Sequence, residues 1–344
     1  MELVTGNLKE RYADLKERHL RIREAAKQLD VSEVELVALD CGNNVTRLRS
    51  EFEAILGQLE QIGYVMALTR NEEVVHERKG IYQHATFGPY ASMFIGKDID
   101  LRIFLNAWDS VFAVTEFNNE QPRYSLQFFG KDGMALHKIY LEKESNLAVY
   151  FQLINEFKHI DQGQIQDVRK QEYIPEVELN DEEIDVENFH KVWKELKDTH
   201  DFFGMLKQFS VTRTQALRLA PSTHFATKIS NTGLRQALNH AAQTQTSIMV
   251  FVGNPGIIQI HTGAVKNIVD HGPWINVLDP AFNLHVKEGA ITESWVVRKP
   301  TTDGIVTSLE LFNERKELIC TLFGERKPGI PELDSWRAIV EQLN

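Results

Sequence analysis

Cysteine is almost missing from this chain. Cys41 and Cys320 are the only two, and they lie far apart. That spacing gives neither a disulfide framework nor a metal knuckle, so both are expected as free thiols of a reducing compartment. Long apolar runs are missing too: no stretch approaches the ~18 residues of a membrane span. The opening MELVTGNLKERYADLKERHL is charged throughout and has no apolar signal-peptide core. These absences predict a soluble, cytoplasmic protein without membrane insertion. Positive charge is in deficit, with 38 Lys and Arg against 49 Asp and Glu, a formal net charge of −11. Phosphate affinity comes from Lys and Arg, so this balance disfavours a non-specific nucleic-acid binder but leaves room for a local basic pocket.

The usual catalytic and cofactor signatures are also absent. There is no GxGxxG after a strand, no P-loop, no HExxH, CxxC or CxxCH, and no GxSxG elbow. Twelve histidines are scattered, and no pair has a chelating spacing beside a carboxylate. Nothing argues for a kinase, a serine hydrolase or a Rossmann dehydrogenase.

What is present is an ordinary globular composition, 42% hydrophobic and 25% charged, over 344 residues. That length predicts about two domains. Residues 7–60 read as helical. Within them, 22–48 resembles a helix-turn-helix with Ser32 as cap and Glu35 at the capping-box position. Its second helix, SEVELVALD, carries three acids and no base-reading side chain, so two packed helices are favoured over a DNA reader. From about Ile62 the pattern turns β-rich: 64–70, 73–79, 92–96, 101–105, 110–117, 124–130 and 136–142 are short apolar runs between turn signals. Val149 to Ile160 reads as a closing helix. Half the residues from Glu172 to Glu187 are acidic, which predicts an exposed, extended linker with no binding role.

After the linker the pattern recurs. Helices are expected from about 188 to 243, strands at 247–253, 257–263, 274–279, 282–289, 293–299, 306–313 and 318–324, and a last helix over Glu332 to Gln342. SLQFF at Ser125 parallels SLELF at Ser308 with an offset of 183, which Asn71/Asn254 and Leu101/Leu284 share. Arg102 in the first copy aligns with His285 in the second. The fold class is therefore α+β: two tandem repeats, each an antiparallel sheet with flanking helices. The expected layout is a first repeat over 1–165, the acidic linker over 166–187 and a second repeat over 188–344.

One stretch stands out, KVWKELKDTHDFFGMLKQFSVTRTQALR at 191–218. Val192, Leu196, Phe203 and Leu206 are spaced to share one helical face, with His200 at its flank. Arg213 opens the next helix behind Thr212. A lone histidine beside an apolar stripe is more often an edge residue than a ligand. Other residues shift that balance. Arg102 lies inside LRIFLNAW, Lys299 in WVVRKP and Arg326 in FGERKPG, while Phe104, Trp108, Phe251 and Phe323 offer flat apolar surface. An imidazole, an apolar slot and several cations describe a site for a flat, dianionic, iron-bearing ligand, of which haem is one.

The segments LRIFLNAW (101–108), SLQFFGKDGMALHKIY (125–140), HDFFGMLKQFSVTRTQA (200–216), IMVFVGNPGIIQIHTG (248–263), ITESWVVRKPTTDGIVTSLELF (291–312) and LFGERKPG (322–329) resemble the haemin-degrading and haem-trafficking HemS/HmuS/ChuS/PhuS family of Gram-negative haem uptake. The resemblance covers nearly the whole chain. It implies haem in a cleft of the C-terminal half, with His200 as the proximal iron ligand. Arg102 would be the distal donor, reaching from the N-terminal half through an iron-bound water. Arg213, Lys299 and Arg326 would lie around the propionates, with Phe104 and Phe251 as pocket lining and Phe323 where some relatives have Tyr. Glu325 stands where some have Gln, and Phe203 where some carry a second histidine. The resemblance implies two alternative activities: haem cleavage with an external electron donor, or carriage of haem from an inner-membrane importer to a separate haem oxygenase.

Overall fold

The computed structural model describes residues 2–118, 120–170, 174–327 and 329–343. The chain forms two compact units. The first comprises Met1–Arg70, Glu77–Glu172 and Gly253–Gln259; the second comprises Asn71–His76, Tyr173–Val252 and Ile260–Asn344. Each unit thus includes one short segment from the other half of the sequence.

In the first unit the strands are β1 (Val45–Leu48), β2 (Val65–Arg70), the end of β3 (Val74–Gly80), β4 (Ala85–Thr86), β5 (Ser92–Ile95), β6 (Asp100–Ile103), β7 (Trp108–Asn118), β8 (Gln121–Gly130) and β9 (Ala135–Leu141). They run in the order β1-β7-β8-β9-β2-β3, with β6-β5-β4 as a separate group. The named pairs are antiparallel, for example Leu126 opposite Ala113 and Ile139. β8 is buried on both faces along its second half, because helices cover the sheet twice. Ile55, Leu56, Leu59, Ile62, Tyr150 and Leu153 pack on one face with Leu126 and Phe128. Val34, Val37 and Ala38 pack on the other with Phe112 and Phe129. Five of the six residues of helix Glu33–Ala38 are buried, so the helix-turn-helix segment serves as a packed layer of the fold.

The second unit repeats this plan. Its strands are β10 (Ala226–Ile229), β11 (Ile248–Asn254), β12 (Ile257–Gly263), β13 (Ile268–His271), β14 (Trp274–Asp279), β15 (Phe282–Lys287), β16 (Glu293–Thr301), β17 (Gly304–Phe312) and β18 (Leu318–Gly324). The order β10-β16-β17-β18-β11 matches β1-β7-β8-β9-β2 strand for strand. Helices Gly233–Thr244 and Asp334–Val340 cover one face through Leu238, Trp336 and Ile339. Helices Val186–Lys194, Asp201–Phe209 and Arg213–Arg218 cover the other through Trp193, Phe202 and Leu217. The helical layers match as well. KQLDVS at Lys27 corresponds to KQFSVT at Lys207. Asp30 and Ser210 both close their helices in the left-handed conformation, and Ser32 and Thr212 both cap the helix that follows. This alignment puts Leu20 where the second unit has His200. Among the described residues, no helix is long and apolar enough to cross a membrane.

Two expectations need correction, and one is refined. The helical reading of 7–60 is interrupted by β1, and that of 188–243 by β10; both are four-residue strands whose apolar pattern is too short to register. The acidic segment is exposed and extended over 174–180, as expected, and ion pairs also hold it: Glu178 pairs with Arg218 at 3.1 Å and Lys316 at 2.7 Å, and Asp181 pairs with Arg218. Finally, the single helix read over 191–209 is two, Val186–Lys194 and Asp201–Phe209. The break turns the second helix, so Phe203 is 60% exposed while Phe202 and Met205 fill the core.

Candidate functional site

The break between those helices creates the site. The Asp198 and Asp201 side chains compete for backbone N–H groups and so interrupt a helix. The Asp198 carboxylate accepts the backbone N–H of His200 at 2.8 Å, and the Asp198 N–H donates to Asp201 at 3.1 Å. His200 is therefore the N-cap of helix Asp201–Phe209 and does not lie on a helix flank. Its side chain is 93% exposed, and its Nδ1 lies 2.6 Å from Asp198 Oδ1. A carboxylate only accepts, so Nδ1 carries the proton and the Nε2 lone pair faces outward. Hydrogen bonds from His200, first from its backbone and then from its ring, hold the Asp198 carboxyl below its ordinary range; the charge of Arg326 adds to this. Arg326, just past β18, is thus electrostatically close to the His200–Asp198 pair.

Phe202 anchors the start of this helix. It lies edge-on to Trp193 at 4.9 Å, and Trp193 Nε1 donates to the carbonyl of Arg298. Lys299 Nζ is 4.5 Å and Arg213 Cζ 5.2 Å from the Phe202 ring centre. Both cations converge on Glu310, a fully buried carboxylate of β17. Arg213 grips it with Nε to Oε2 at 2.7 Å and Nη2 to Oε1 at 2.8 Å, and Lys299 donates to Oε1 at 2.8 Å. Burial pushes the Glu310 carboxyl up, but Arg213 and then Lys299 outweigh it and hold the group well below the carboxylate range. Burial presses the Lys299 ammonium down to about 8 against the pull of Glu310, so it is still charged at neutral pH.

Strand register places the remaining residues on the same sheet face. Trp295 lies opposite Glu310, Glu310 opposite Thr321, and Thr321 opposite Phe251. Phe323 lies opposite Ser308 and Met249. Directly paired residues share a face, so Lys299, Glu310, Phe323 and Phe251 all look toward the His200 helices. Phe251 and Phe323 meet edge to face at 5.1 Å and are half-buried. The second unit thus carries all six of these predicted residues in three local groups: His200 with Arg326, Arg213 with Lys299, and Phe251 with Phe323.

Not all of them are equally available. Lys299 is buried and engaged by Glu310, so it does not present a free ammonium. Arg213 is engaged by Glu310 through Nε and Nη2, with 26% of its side chain exposed. Arg102 and Phe104 belong to the first unit. Arg102 on β6 pairs with Asp100 and donates to the Leu101 carbonyl. Phe104 begins a short turn, and its N–H donates to Gly256 at 2.9 Å. The reading from residues missed Asp198 and Glu310. An acid two residues before the histidine and a lone acid within an apolar strand were the available signals.

The donor set suits a flat anionic ligand with one metal centre: a single imidazole with a free Nε2, an aromatic shelf, and guanidinium groups at the edge.

A family model described as the haemin-degrading HemS.ChuX domain matches the chain twice, over residues 30–157 and 210–343. Asp198 and His200 fall between the two matched stretches. The hemin transport protein HemS of Yersinia enterocolitica is 39% identical over 325 residues, 94% of this chain and 92% of that protein. Among solved structures, holo-PhuS, a heme-binding protein from Pseudomonas aeruginosa, is 43% identical over 99% of each chain, with a TM-score of 0.95. The heme degrading enzyme ChuS of Escherichia coli O157:H7 is 34% identical over 98% of this chain and 99% of its own, with a TM-score of 0.91.

Proposed function

Because the chain belongs to the haemin-degrading HemS/ChuX family, we propose that it is a cytoplasmic protein of a bacterial haem-uptake system that binds haem on His200 and degrades it to release iron. The observation that carries this reading is the outward Nε2 of His200, with its Nδ1 fixed by Asp198 at 2.6 Å. A neutral imidazole with a locked tautomer is the form that binds iron. Arg326 and Arg213 meet the propionates. Lys299 acts through Glu310, which fixes the guanidinium plane of Arg213. Phe251 and Phe323 supply apolar contact. From the family likeness we carry over Arg102 as a residue that would donate a hydrogen bond toward haem and Phe104 as one that would line its pocket. A guanidinium carries only N–H donors, so Arg102 donates hydrogen bonds and is no general base. Haem itself supplies the redox-active iron and the macrocycle to be cleaved. The sequence has no dinucleotide fingerprint, so electrons come from an external donor.

A second reading, a carrier that takes haem from an inner-membrane importer and hands it to a separate haem oxygenase, is favoured by the 39% identity with the hemin transport protein HemS. One experiment separates the two. Apoprotein is titrated with haemin, a reductant is added with catalase present, and the Soret band is followed beside His200→Ala. A band that forms and then decays into open-chain products and free iron supports the enzyme. A band that forms and persists supports the carrier. An unchanged spectrum and affinity in His200→Ala would sink both.

A further inference from the structure

The contact between Asp198 and His200 does more than fix a tautomer. Resting on the reading of His200 as the haem ligand, we propose that Asp198 is a positioning residue that sets the donor strength of His200 and thereby the ease with which bound haem is reduced. Three contacts carry this. The Asp198 Oδ1 to His200 Nδ1 distance of 2.6 Å is at the short end for a charge-assisted bond. The same oxygen accepts the His200 backbone N–H at 2.8 Å, so the carboxylate is fixed relative to the backbone of the ring it holds. The Asp198 N–H is in turn held by Asp201 at 3.1 Å, which closes the turn on both sides.

A carboxylate drawing on the Nδ1 proton pushes electron density onto Nε2. A richer Nε2 favours the higher iron charge, so the ferric form is stabilised over the ferrous form. The device is local to one turn. The first unit has no equivalent, because Leu20 stands in the place of His200.

The test uses the full chain loaded with haem, as wild type, Asp198→Asn, Asp198→Glu and His200→Ala. Asp198 is half-exposed, so the substitutions leave the core intact. Asn keeps a hydrogen-bond acceptor but removes the charge. The midpoint potential is measured by reductive titration, and the iron–histidine stretch of the ferrous form by resonance Raman. Asp198→Asn is expected to shift the ferrous-to-ferric ratio at a given potential about tenfold toward ferrous, which is 59 mV for one electron. Its iron–histidine stretch should fall in frequency, while haem still binds. Asp198→Glu should restore part of both shifts. An Asn variant with wild-type potential and wild-type frequency overturns the inference while leaving His200 as ligand. Retention of the axial spectrum in His200→Ala overturns the reading beneath it as well.

Discussion

Arg213 holds Glu310 with two parallel bonds, Nε to Oε2 at 2.7 Å and Nη2 to Oε1 at 2.8 Å, and Lys299 shares Oε1. The first unit has a comparable tie with the charges exchanged, made from the strand next to the one that corresponds to β17. Glu33 occupies the first position of the capped helix, where the second unit has Arg213, and it meets Lys138 of β9 at 3.2 Å and Arg23 at 3.6 Å. Both copies therefore pin a capped helix to the sheet through a buried ion pair.

Glu310→Gln should be among the most damaging single changes in the chain. It would leave two cations buried against Phe202 without a counter-charge, a loss on the order of 3–5 kcal/mol. Replacing Glu310, Arg213 and Lys299 together by apolar residues of similar volume should recover most of it. Urea unfolding of the two proteins decides the matter: a triple variant no more stable than Glu310→Gln would mean that packing, and not charge, is what the triad provides.

How far the sequence discloses this arrangement depends on the residue. The long strands are legible because runs such as SLQFF and SLELF are apolar between clear turns, and their offset of 183 discloses the duplication. β1, β4, β10 and β13 are not, because two to four residues at a sheet edge carry no readable period. His200 is legible as a candidate, but its setting is not. Trp193, Leu196 and Leu206 keep helix-like spacing across a break that Asp198 and Asp201 cause by side-chain competition. A cation in an apolar strand points to an anionic ligand, whereas a lone acid there points to nothing until its partners are known, so Glu310 is silent in the sequence.

The strand tips make a second matched pair. Asn71 Nδ2 donates to the Ile319 carbonyl at 2.8 Å in the second unit, and Asn254 Nδ2 donates to the Leu136 carbonyl at 2.8 Å in the first. Leu136 and Ile319 are themselves 183 apart. Each Asn also folds its own turn, Asn71 Oδ1 accepting from Val74 at 2.8 Å and Asn254 Oδ1 from Gly256 at 3.0 Å. Asn71→Ala and Asn254→Ala should each cost about 1–3 kcal/mol, since each strips a bond from a partly buried carbonyl. Amide exchange should rise in β18 for the first and in β9 for the second. Uniform exchange across both units in either variant would contradict the assignment of each tip to one unit.

Acid should destabilise the first unit through His137. This fully buried ring lies between Thr69 at 2.9 Å and the Tyr82 hydroxyl at 2.5 Å. Thr69 donates its own proton to Gln259 Oε1 at 2.7 Å, so it accepts from Nδ1–H, and Nε2 accepts from Tyr82. Burial lowers the His137 pKa to about 3. The unfolded ring titrates near 6.5, so between those values the unfolded chain binds the extra proton. Stability is therefore fully present above 6.5 and falls with pH by about 1.4 kcal/mol per unit down to about 3. Between neutrality and pH 5 the wild type should lose about 2 kcal/mol more than His137→Gln. Parallel pH dependences in urea unfolding would show that His137 is protonated in the folded state as well.

Gly204 shows a cost that the protein alone does not explain. It lies inside helix Asp201–Phe209, four residues after His200 and on the same exposed face. An added Cβ would meet nothing within 4 Å, so neither packing nor backbone geometry demands glycine. A helical glycine costs about 1 kcal/mol relative to alanine. The proposed reading supplies a reason: a macrocycle ligated by His200 would lie against this face, and a bare backbone lets it come close. Gly204→Ala should raise apoprotein stability by about 0.5–1 kcal/mol and weaken haem binding several-fold, with Gly204→Leu weakening it further. Melting of the apoproteins and Soret titration read the two effects separately. A stabilised Ala variant with undiminished haem affinity would place the macrocycle away from this face, and His200 would then have to present its Nε2 along a different direction.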